Sequence, residues 1–290
     1  MLRTLLRRTF PVWERLGFHI TPNHFYEPIP DTRKLPEELW SSRSELVGID
    51  LRSAAQLALL DELARAYGAD WARFPRDKTA DPHAYYVDNR QFEGVDGEIL
   101  YGLVRKHRPR RVVEIGSGFS TLLTAQALRD NGAGELEAIE PFPPRVLRRH
   151  PLPRPVRLRA QPVQSVPLAE FAALAPGDIL FIDSSHVVKT GSDVVYEFLE
   201  ILPRLGPGVL VHVHDIFLPA EYPRAWIKEE RRFWTEQYLL QAFLAFNTRF
   251  EVVWASSYMH LTQPDALEAA IPSYRRDRRW PGSFWLRRVG

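Results

Sequence analysis

From about residue 96 onward, apolar segments and amphipathic segments alternate along the chain, which predicts an α/β fold. Short runs rich in Val, Ile and Leu recur, and stretches with apolar residues every three or four positions separate them. Such alternation implies right-handed crossovers and a parallel sheet with helices on both faces. The predicted strands are 112–115, 135–139, 156–160, 178–182 and 208–213, and the predicted helices are 96–107, 119–128, 142–150, 168–174 and 193–205.

The end of the chain departs from this alternation. A long helix is predicted over residues 223–246, followed by strands at 250–255 and 283–289 with no obvious long helix between them. Such a closing pair suits an antiparallel hairpin at the edge of the sheet. The predicted architecture is therefore Rossmann-like, with a seven-stranded, mostly parallel sheet and an antiparallel edge hairpin.

The amino-terminal third has a different pattern. Residues 1 to about 50 interleave prolines with aromatic residues and histidines, which indicates an ordered but irregular arm that starts with a short surface helix. Residues 51–67 have helical amphipathic spacing with Gly68 as a stop, and residues 69–95 are again irregular. We therefore expect an extension at 1–95 that can act as a lid, and a ligand-binding domain at 96–290.

Composition narrows the classes of function. The chain has 290 residues, no cysteine and a net charge of +2, so disulfides and thiolate metal sites are excluded and no global field favours nucleic acid. No run of about eighteen apolar residues occurs, so no transmembrane segment is expected. We expect a cytoplasmic protein, and homo-oligomers are compatible with the sequence.

A glycine turn, GSG at 116–118, closes the first predicted strand and leads into a helix that begins at Phe119. Free backbone N–H groups at such a helix start can receive a ligand, although the same turn can simply join a strand to a helix. A dinucleotide fingerprint would place a third glycine where Thr121 stands. Glu114, just before the turn, would repel a pyrophosphate but suits a ligand that carries an ammonium group.

Acidic residues and histidines also follow other predicted strands. Glu140 follows the second strand, where a carboxylate can accept hydrogen bonds from both ribose hydroxyls of a nucleoside cofactor, NAD included. The fourth strand runs into DSSH at 183–186, and the fifth ends in HVHD at 212–215. His212 and His214 point to one face of their strand, and His212 can simply pack there.

These motifs resemble the class I S-adenosylmethionine (SAM)-dependent methyltransferases. The first motif of that family, E/D-x-G-x-G, corresponds to EIGSG at 114–118, and in one branch the fourth strand ends in D-x-x-H and the fifth in H-D. The resemblance covers roughly residues 90–260 and implies SAM as cofactor. It implies a cofactor pocket lined by Glu114, Gly116, Ser117, Gly118, Ser120, Thr121, Glu140 and Asp183, and candidate catalytic residues Asp183, His186, His214 and Asp215 facing the acceptor.

Methyl transfer to a hydroxyl is an in-line displacement that requires alignment and removal of the hydroxyl proton. A histidine can take that proton. Alternatively Asp183 and Asp215, with or without a histidine, hold a divalent cation such as Mg²⁺ that lowers the pKa of the hydroxyl. In the related catechol O-methyltransferase pattern an Asp-Asn pair follows the fifth strand; here Ile216 follows Asp215, so one ligand of that pattern is missing.

The leading hypothesis is an O-methyltransferase that acts on a small-molecule or sugar hydroxyl. The [D/N]-P-P-[Y/F] motif of base amino-methyltransferases is absent where DSSH stands, which argues against nucleic acid as partner. An NAD-dependent oxidoreductase shares the turn and Glu140, but Glu114, Thr121 and the closing strand pair disfavour it. A non-catalytic nucleoside-binding scaffold is the third hypothesis.

Overall fold

The computed structural model describes residues 2–149, 152, 155–278 and 280–290. Seven strands form one sheet in the order β3-β2-β1-β4-β5-β7-β6, in which β7 runs antiparallel to β5 and β6 and the other neighbours are parallel. The predicted seven-stranded, mostly parallel sheet with an antiparallel edge hairpin is confirmed. The strands are β1 Arg111–Ile115, β2 Glu135–Ile139, β3 Val156–Arg159, β4 Ile179–Ile182, β5 Leu210–Val213, β6 Phe250–Ala255 and β7 Phe284–Arg288.

Helices cover both faces of this sheet, and none of those in the described ranges is both long and apolar enough to cross a membrane. In the described part of the chain, 3₁₀ turns at Glu37–Trp40, Val163–Ser165 and Leu202–Arg204 and a π-helical turn at Glu197–Ile201 accompany them. Residue 150, the predicted end of the helix at 142–150, lies outside the described ranges. The α-helices are α1 Leu2–Arg15, α2 Ser53–Trp71, α3 Asp96–His107, α4 Phe119–Asn131, α5 Arg145–Arg149, α6 Leu168–Ala172, α7 Asp193–Tyr196, α8 Arg224–Lys228, α9 Glu236–Leu244, α10 Ser256–Thr262 and α11 Pro264–Ala270.

The central strands are buried on both faces, as their continuous apolar runs predict. Because successive side chains of a strand alternate between faces, each strand contributes to two cores. Val112 and Phe181 belong to the core under α2, α3 and α4, whereas Val113 and Ile182 belong to the core under α7 and α9. The sheet is therefore packed on both faces.

The predicted long helix over 223–246 is wrong. The chain forms α8 and α9 with a non-helical segment at 229–235 between them, in which Arg231 has a φ of 62°. The backbone N–H groups of Thr235 and Glu236 donate to the carbonyl of His186, at 2.9 and 3.2 Å. An unbroken helix would use those N–H groups in its own ladder, so the long-range bonds replace the helical ones.

The chain divides into two compact units, one formed by the residues up to Ser42 with Glu221–Phe233, the other by Arg43–Ala220 with Trp234–Gly290. Within the larger unit, α2 packs against α3, α11 and β6. The expected boundary between residues 95 and 96 stays a prediction. Gly68, the expected stop of α2, lies inside that helix. A lid role for residues 1–95 stays a prediction.

Candidate active site

The predicted acidic residues meet at the carboxyl-terminal edge of the sheet. Glu114 pairs in register with Phe181 of β4 and Ala138 of β2. Glu140 lies two residues beyond Ala138, and Asp183 lies two residues beyond Phe181. Strand periodicity therefore directs all three carboxylates to the face that packs against α3 and α4. Ligands of open α/β sheets bind at this edge.

Gly116 brings β1 and the end of β4 into close contact. Its φ is +97°, and its N–H donates to the carbonyl of Ile139 at 2.9 Å. A Cβ on this residue would lie 2.0 Å from the carbonyl oxygen of Asp183. Both the backbone conformation and the close approach therefore require glycine.

We expect Gly116→Ala to lower the free energy of unfolding by roughly 2–4 kcal/mol, because backbone atoms cannot move aside and the positive φ adds strain. Urea denaturation measures the loss. Gly132→Ala is the matched control, since Gly132 has a φ of +68° and a Cβ added there would have no atom within 4 Å. It should cost only about 1 kcal/mol; equal losses in the two variants would show that the close approach to Asp183 has no energetic effect.

Glu114 lies beneath the turn and is 1% exposed. Its Oε1 accepts the Ser120 hydroxyl at 2.5 Å, while its Oε2 has no hydrogen-bond partner among the described residues. Burial, with smaller contributions from Asp183 and Glu140, raises the pKa of Glu114 to about 8, although the Ser120 and Thr121 hydroxyls oppose the shift. A buried carboxylate oxygen without a partner is suited to an incoming N–H donor.

The other hydroxyls of the turn are placed differently. Thr121 Oγ1 accepts the N–H of Gly118 at 2.9 Å, and the Ser120 hydroxyl donates to Glu114, so both hydroxyls already bond within the turn. The hydroxyl of Ser117 is buried and has no hydrogen-bond partner among the described residues. Ser117 therefore offers a second unsatisfied polar group beside Glu114.

A cavity of about 450 Å³ opens at the carboxyl ends of β1, β2 and β4, a size typical of small-molecule sites. Gly116, Glu140, Phe142, Gln164 and Ser185 are among its lining residues, whereas neither Glu114 nor Asp183 is part of its wall. Oε1 of Glu140 accepts the N–H of Phe142 at 2.7 Å. A second cavity of about 750 Å³ lies at the opposite, amino-terminal ends of β1–β3, away from these groups.

Asp183, His186 and Asp215 form a cluster next to the glycine turn at 116–118. His186 Nε2 lies 3.3 Å from Asp183 Oδ1 and 3.9 Å from Asp215 Oδ2, and one ligand atom from each of the three residues lies within 4.8 Å of the others. His186 and Asp215 have φ values of 60° and 54°. Left-handed conformations at non-glycine residues are strained, and such strain concentrates at functional sites.

Sequence reasoning missed Glu236, which lies 50 residues beyond His186. Glu236 Oε2 is 2.8 Å from His186 Nδ1, its side chain is 1% exposed, and the ring of Trp234 lies 4.2 Å from the His186 ring. The only signal in the sequence was an acidic residue within a segment rich in apolar and aromatic residues. Trp234 and the first residue of α9 thus contribute to the cluster.

Neighbouring charges shift the pKa values of His186 and Asp183. Burial alone would lower the pKa of His186, but hydrogen bonds to Asp183 and Glu236 outweigh it and raise this pKa well above the usual value. Burial would raise the pKa of Asp183, yet His214 and His186 lower it to about 2. His186 is therefore protonated at neutral pH in the absence of a cation, a state in which it cannot accept a proton.

His212, within β5, and His214, just after it, differ in environment. His212 is fully buried, its Nε2 lies 2.9 Å from Ser283 Oγ and its ring stacks 3.8 Å from that of Phe181, so it packs in the core. His214 Nε2 lies 3.7 Å from Asp215 Oδ1, and its Nδ1 is buried without a partner in the described part of the chain. His214 therefore reaches the cluster, whereas His212 does not.

Methyltransferases are among the solved structures to which this chain is similar. An SAH-bound methyltransferase of Podospora anserina is 17% identical, with a TM-score of 0.43, over 80% of this chain and 88% of that chain. An O-methyltransferase of Streptomyces achromogenes, involved in tomaymycin synthesis and in complex with SAM, is 17% identical, with a TM-score of 0.39, over 80% of this chain and 90% of that chain.

Sequence comparison identifies the family. Residues 113–216, which contain the glycine turn and the Asp183–Asp215 cluster, match a family model described as a methyltransferase domain. An uncharacterized protein of Archaeoglobus fulgidus is 36% identical over 179 residues, which cover 59% of this chain and 80% of that protein. Through this matched region the chain belongs to a methyltransferase family.

Proposed function

We propose that this protein transfers a methyl group from SAM to a hydroxyl of a small molecule or sugar. The observation that carries the proposal is the juxtaposition, at one edge of the sheet, of a nucleoside-sized cavity, an unsatisfied Glu114 oxygen and the Asp183–His186–Asp215 cluster. A ligand that joins a nucleoside, an ammonium group and a reactive sulfonium has chemistry that matches all three.

The residues of the turn and of β2 fit the cofactor. Glu114 Oε2 would accept the ammonium group, and the Glu140 carboxylate would accept the ribose hydroxyls. The lack of a side chain at Gly118, whose Cβ position meets nothing nearer than Gln91 at 3.8 Å, leaves room for a ligand to approach the backbone. SAM would supply an electrophilic methyl group, and these residues would hold it in one orientation.

Asp183 and Asp215 face the acceptor in this proposal. Two carboxylates at the mouth of the site can hold a divalent cation that lowers the pKa of an acceptor hydroxyl, and the donor set of the cluster fits such a cation. His214 is the candidate for removing the proton directly. His186, protonated and held between two carboxylates when no cation is present, is less suited to that role.

Isothermal titration with SAM tests cofactor binding, and Glu140→Ala tests the ribose assignment. We expect Glu140→Ala to weaken SAM binding by about 1–3 kcal/mol, because charged hydrogen bonds are lost. Glu135→Ala, at the exposed opposite end of β2, is the matched control and should leave affinity unchanged. No SAM binding at hundreds of micromolar, with NADH binding instead, would favour an oxidoreductase; SAM binding without turnover on a broad hydroxyl panel would favour a scaffold.

A further inference from the structure

The loop after β4 is tied to the amino-terminal end of α9 by four hydrogen bonds. The N–H groups of Thr235 and Glu236 donate to the His186 carbonyl, and the N–H of Val188 donates to Thr235 Oγ1 at 2.7 Å. The fourth bond joins His186 Nδ1 to Glu236 Oε2 at 2.8 Å. His186 is therefore held by both its backbone and its ring in a strained, left-handed conformation.

These contacts fix which nitrogen of His186 faces the cluster. Because Nδ1 bonds to Glu236 and the Trp234 ring packs over the imidazole, the ring cannot exchange its two nitrogens without breaking a buried charged hydrogen bond. Nε2 is thereby directed at Asp183 and Asp215. Metal-ligating histidines characteristically donate their other ring N–H to a carboxylate in this way.

We infer that His186, positioned by Glu236, is the third protein ligand of the cation site, so that the site selects a divalent transition metal over Mg²⁺. The inference rests on the proposed function, in which Asp183 and Asp215 hold a cation. Atoms bound to one cation at about 2.1 Å lie roughly 3.0–3.4 Å apart. The observed separations of Nε2 from the two carboxylates, 3.3 and 3.9 Å, require only a small side-chain adjustment to meet that range.

The donor set decides the class of cation. Mg²⁺ prefers oxygen ligands in octahedral geometry, whereas imidazole nitrogen favours first-row transition metals. One imidazole beside two carboxylates therefore raises the affinity for a cation such as Mn²⁺ relative to Mg²⁺. The side chain of Asp183 is 31% exposed, which leaves this carboxylate accessible to an entering cation.

The experiment measures Mn²⁺ binding to the metal-free, full-length protein without cofactor or acceptor. Titration calorimetry should show one site that binds Mn²⁺ at least about 10-fold more tightly than Mg²⁺. Pulsed electron paramagnetic resonance of bound Mn²⁺ should show coupling to one imidazole ¹⁴N. His186→Ala should remove that coupling and weaken Mn²⁺ binding, while it leaves Mg²⁺ affinity nearly unchanged.

Glu236→Gln keeps the size of the side chain and removes its charge, and should weaken Mn²⁺ binding by about 10- to 100-fold with the ¹⁴N coupling retained. His260→Ala, which removes a histidine bonded to Tyr274 away from the cluster, should change neither quantity. Equal affinities for Mn²⁺ and Mg²⁺, or no ¹⁴N coupling in the wild-type protein, would overturn the inference even if His186→Ala fails to fold.

A parallel titration with SAM separates the two proposals. Normal SAM binding together with absent ¹⁴N coupling would refute the third-ligand inference and leave the methyltransferase proposal standing. The reverse result, a nitrogen-ligated Mn²⁺ site without any SAM binding, would refute the proposed function while it supports the metal ligand assignment.

Discussion

Asp183→Asn is expected to lower kcat for methyl transfer by roughly 10²- to 10⁴-fold, the range expected when an acid–base or charge-stabilising group is lost. The Asp183 carboxylate has a pKa lowered to about 2, so it is anionic at every working pH, and it lies 3.3 Å from His186 Nε2. Asparagine keeps the shape and removes the charge that would hold a cation or stabilise the reacting hydroxyl. Single-turnover kinetics with saturating SAM measures the chemical step directly.

The same variant provides its own control. Glu114, Glu140 and the cavity are unchanged, so the SAM dissociation constant should stay within a few-fold of the wild-type value. Urea denaturation should be run alongside, because a depressed carboxyl pKa contributes stability that is present above the unfolded pKa of 3.8 and lost as the pH falls to about 2. Wild-type turnover in folded, SAM-binding Asp183→Asn would remove Asp183 from the reacting centre.

Glu114→Gln is expected to have opposite effects on cofactor affinity and on stability. A neutral amide cannot pair with the ammonium group of SAM, so affinity at pH 7.5 should fall roughly 10- to 100-fold, matching about 1.5–3 kcal/mol for a charged hydrogen bond. The cofactor-free protein should become more stable near neutral pH, since folding of the variant no longer requires a carboxylate to take up a proton on burial. Titration calorimetry and urea denaturation of the same preparation measure the two effects.

The gain in stability should depend on pH in a defined direction. The folded pKa of Glu114, about 8, lies above its unfolded value of 4.5, so the folded state binds the proton more tightly. The stability that this proton contributes is fully present below pH 4.5 and is lost as the pH rises through 8. The advantage of Glu114→Gln over wild type should therefore grow by roughly 3–4 kcal/mol between pH 5 and 8.5.

A constant difference across that pH range would contradict the assignment of a protonated, buried Glu114. Ser120→Ala serves as the companion variant, because it removes the hydroxyl that bonds Glu114 Oε1 without changing the carboxyl group. It should raise the pKa of Glu114 further, since that hydrogen bond lowers it. The decline of stability with rising pH should accordingly extend to higher pH in Ser120→Ala than in the wild-type protein.

Much of the fold follows from local sequence signals. The helix at Asp96–His107 and the strands at Glu135–Ile139 and Phe250–Ala255 have the predicted bounds, because each is a compact run with one clear period. The break between α8 and α9 was not predictable in this way. It depends on bonds from Thr235 and Glu236 to the carbonyl of His186, which lies far away in sequence.

The site shows the same division between local and long-range signals. Parallel strands deliver their carboxyl ends to one edge, so the meeting of Asp183 and Asp215 follows from the strand assignment alone. That Ser120 and Thr121 direct their hydroxyls into the turn depends on side-chain geometry that the strand–turn–helix pattern does not specify. The role of Glu236 depends on where an irregular segment folds back, for which no periodic signal exists.

A crystal structure of the protein with S-adenosylhomocysteine bound provides the most direct test. It should show the nucleoside part of the ligand in the 450 Å³ cavity with its ribose hydroxyls at Glu140. The aminoacyl part should extend past Gly116, with its ammonium group within hydrogen-bond distance of Glu114 and its sulfur facing Asp183 and Asp215. A ligand bound at the amino-terminal ends of the strands, or one whose sulfur points away from these two carboxylates, would contradict the proposed methyl transfer.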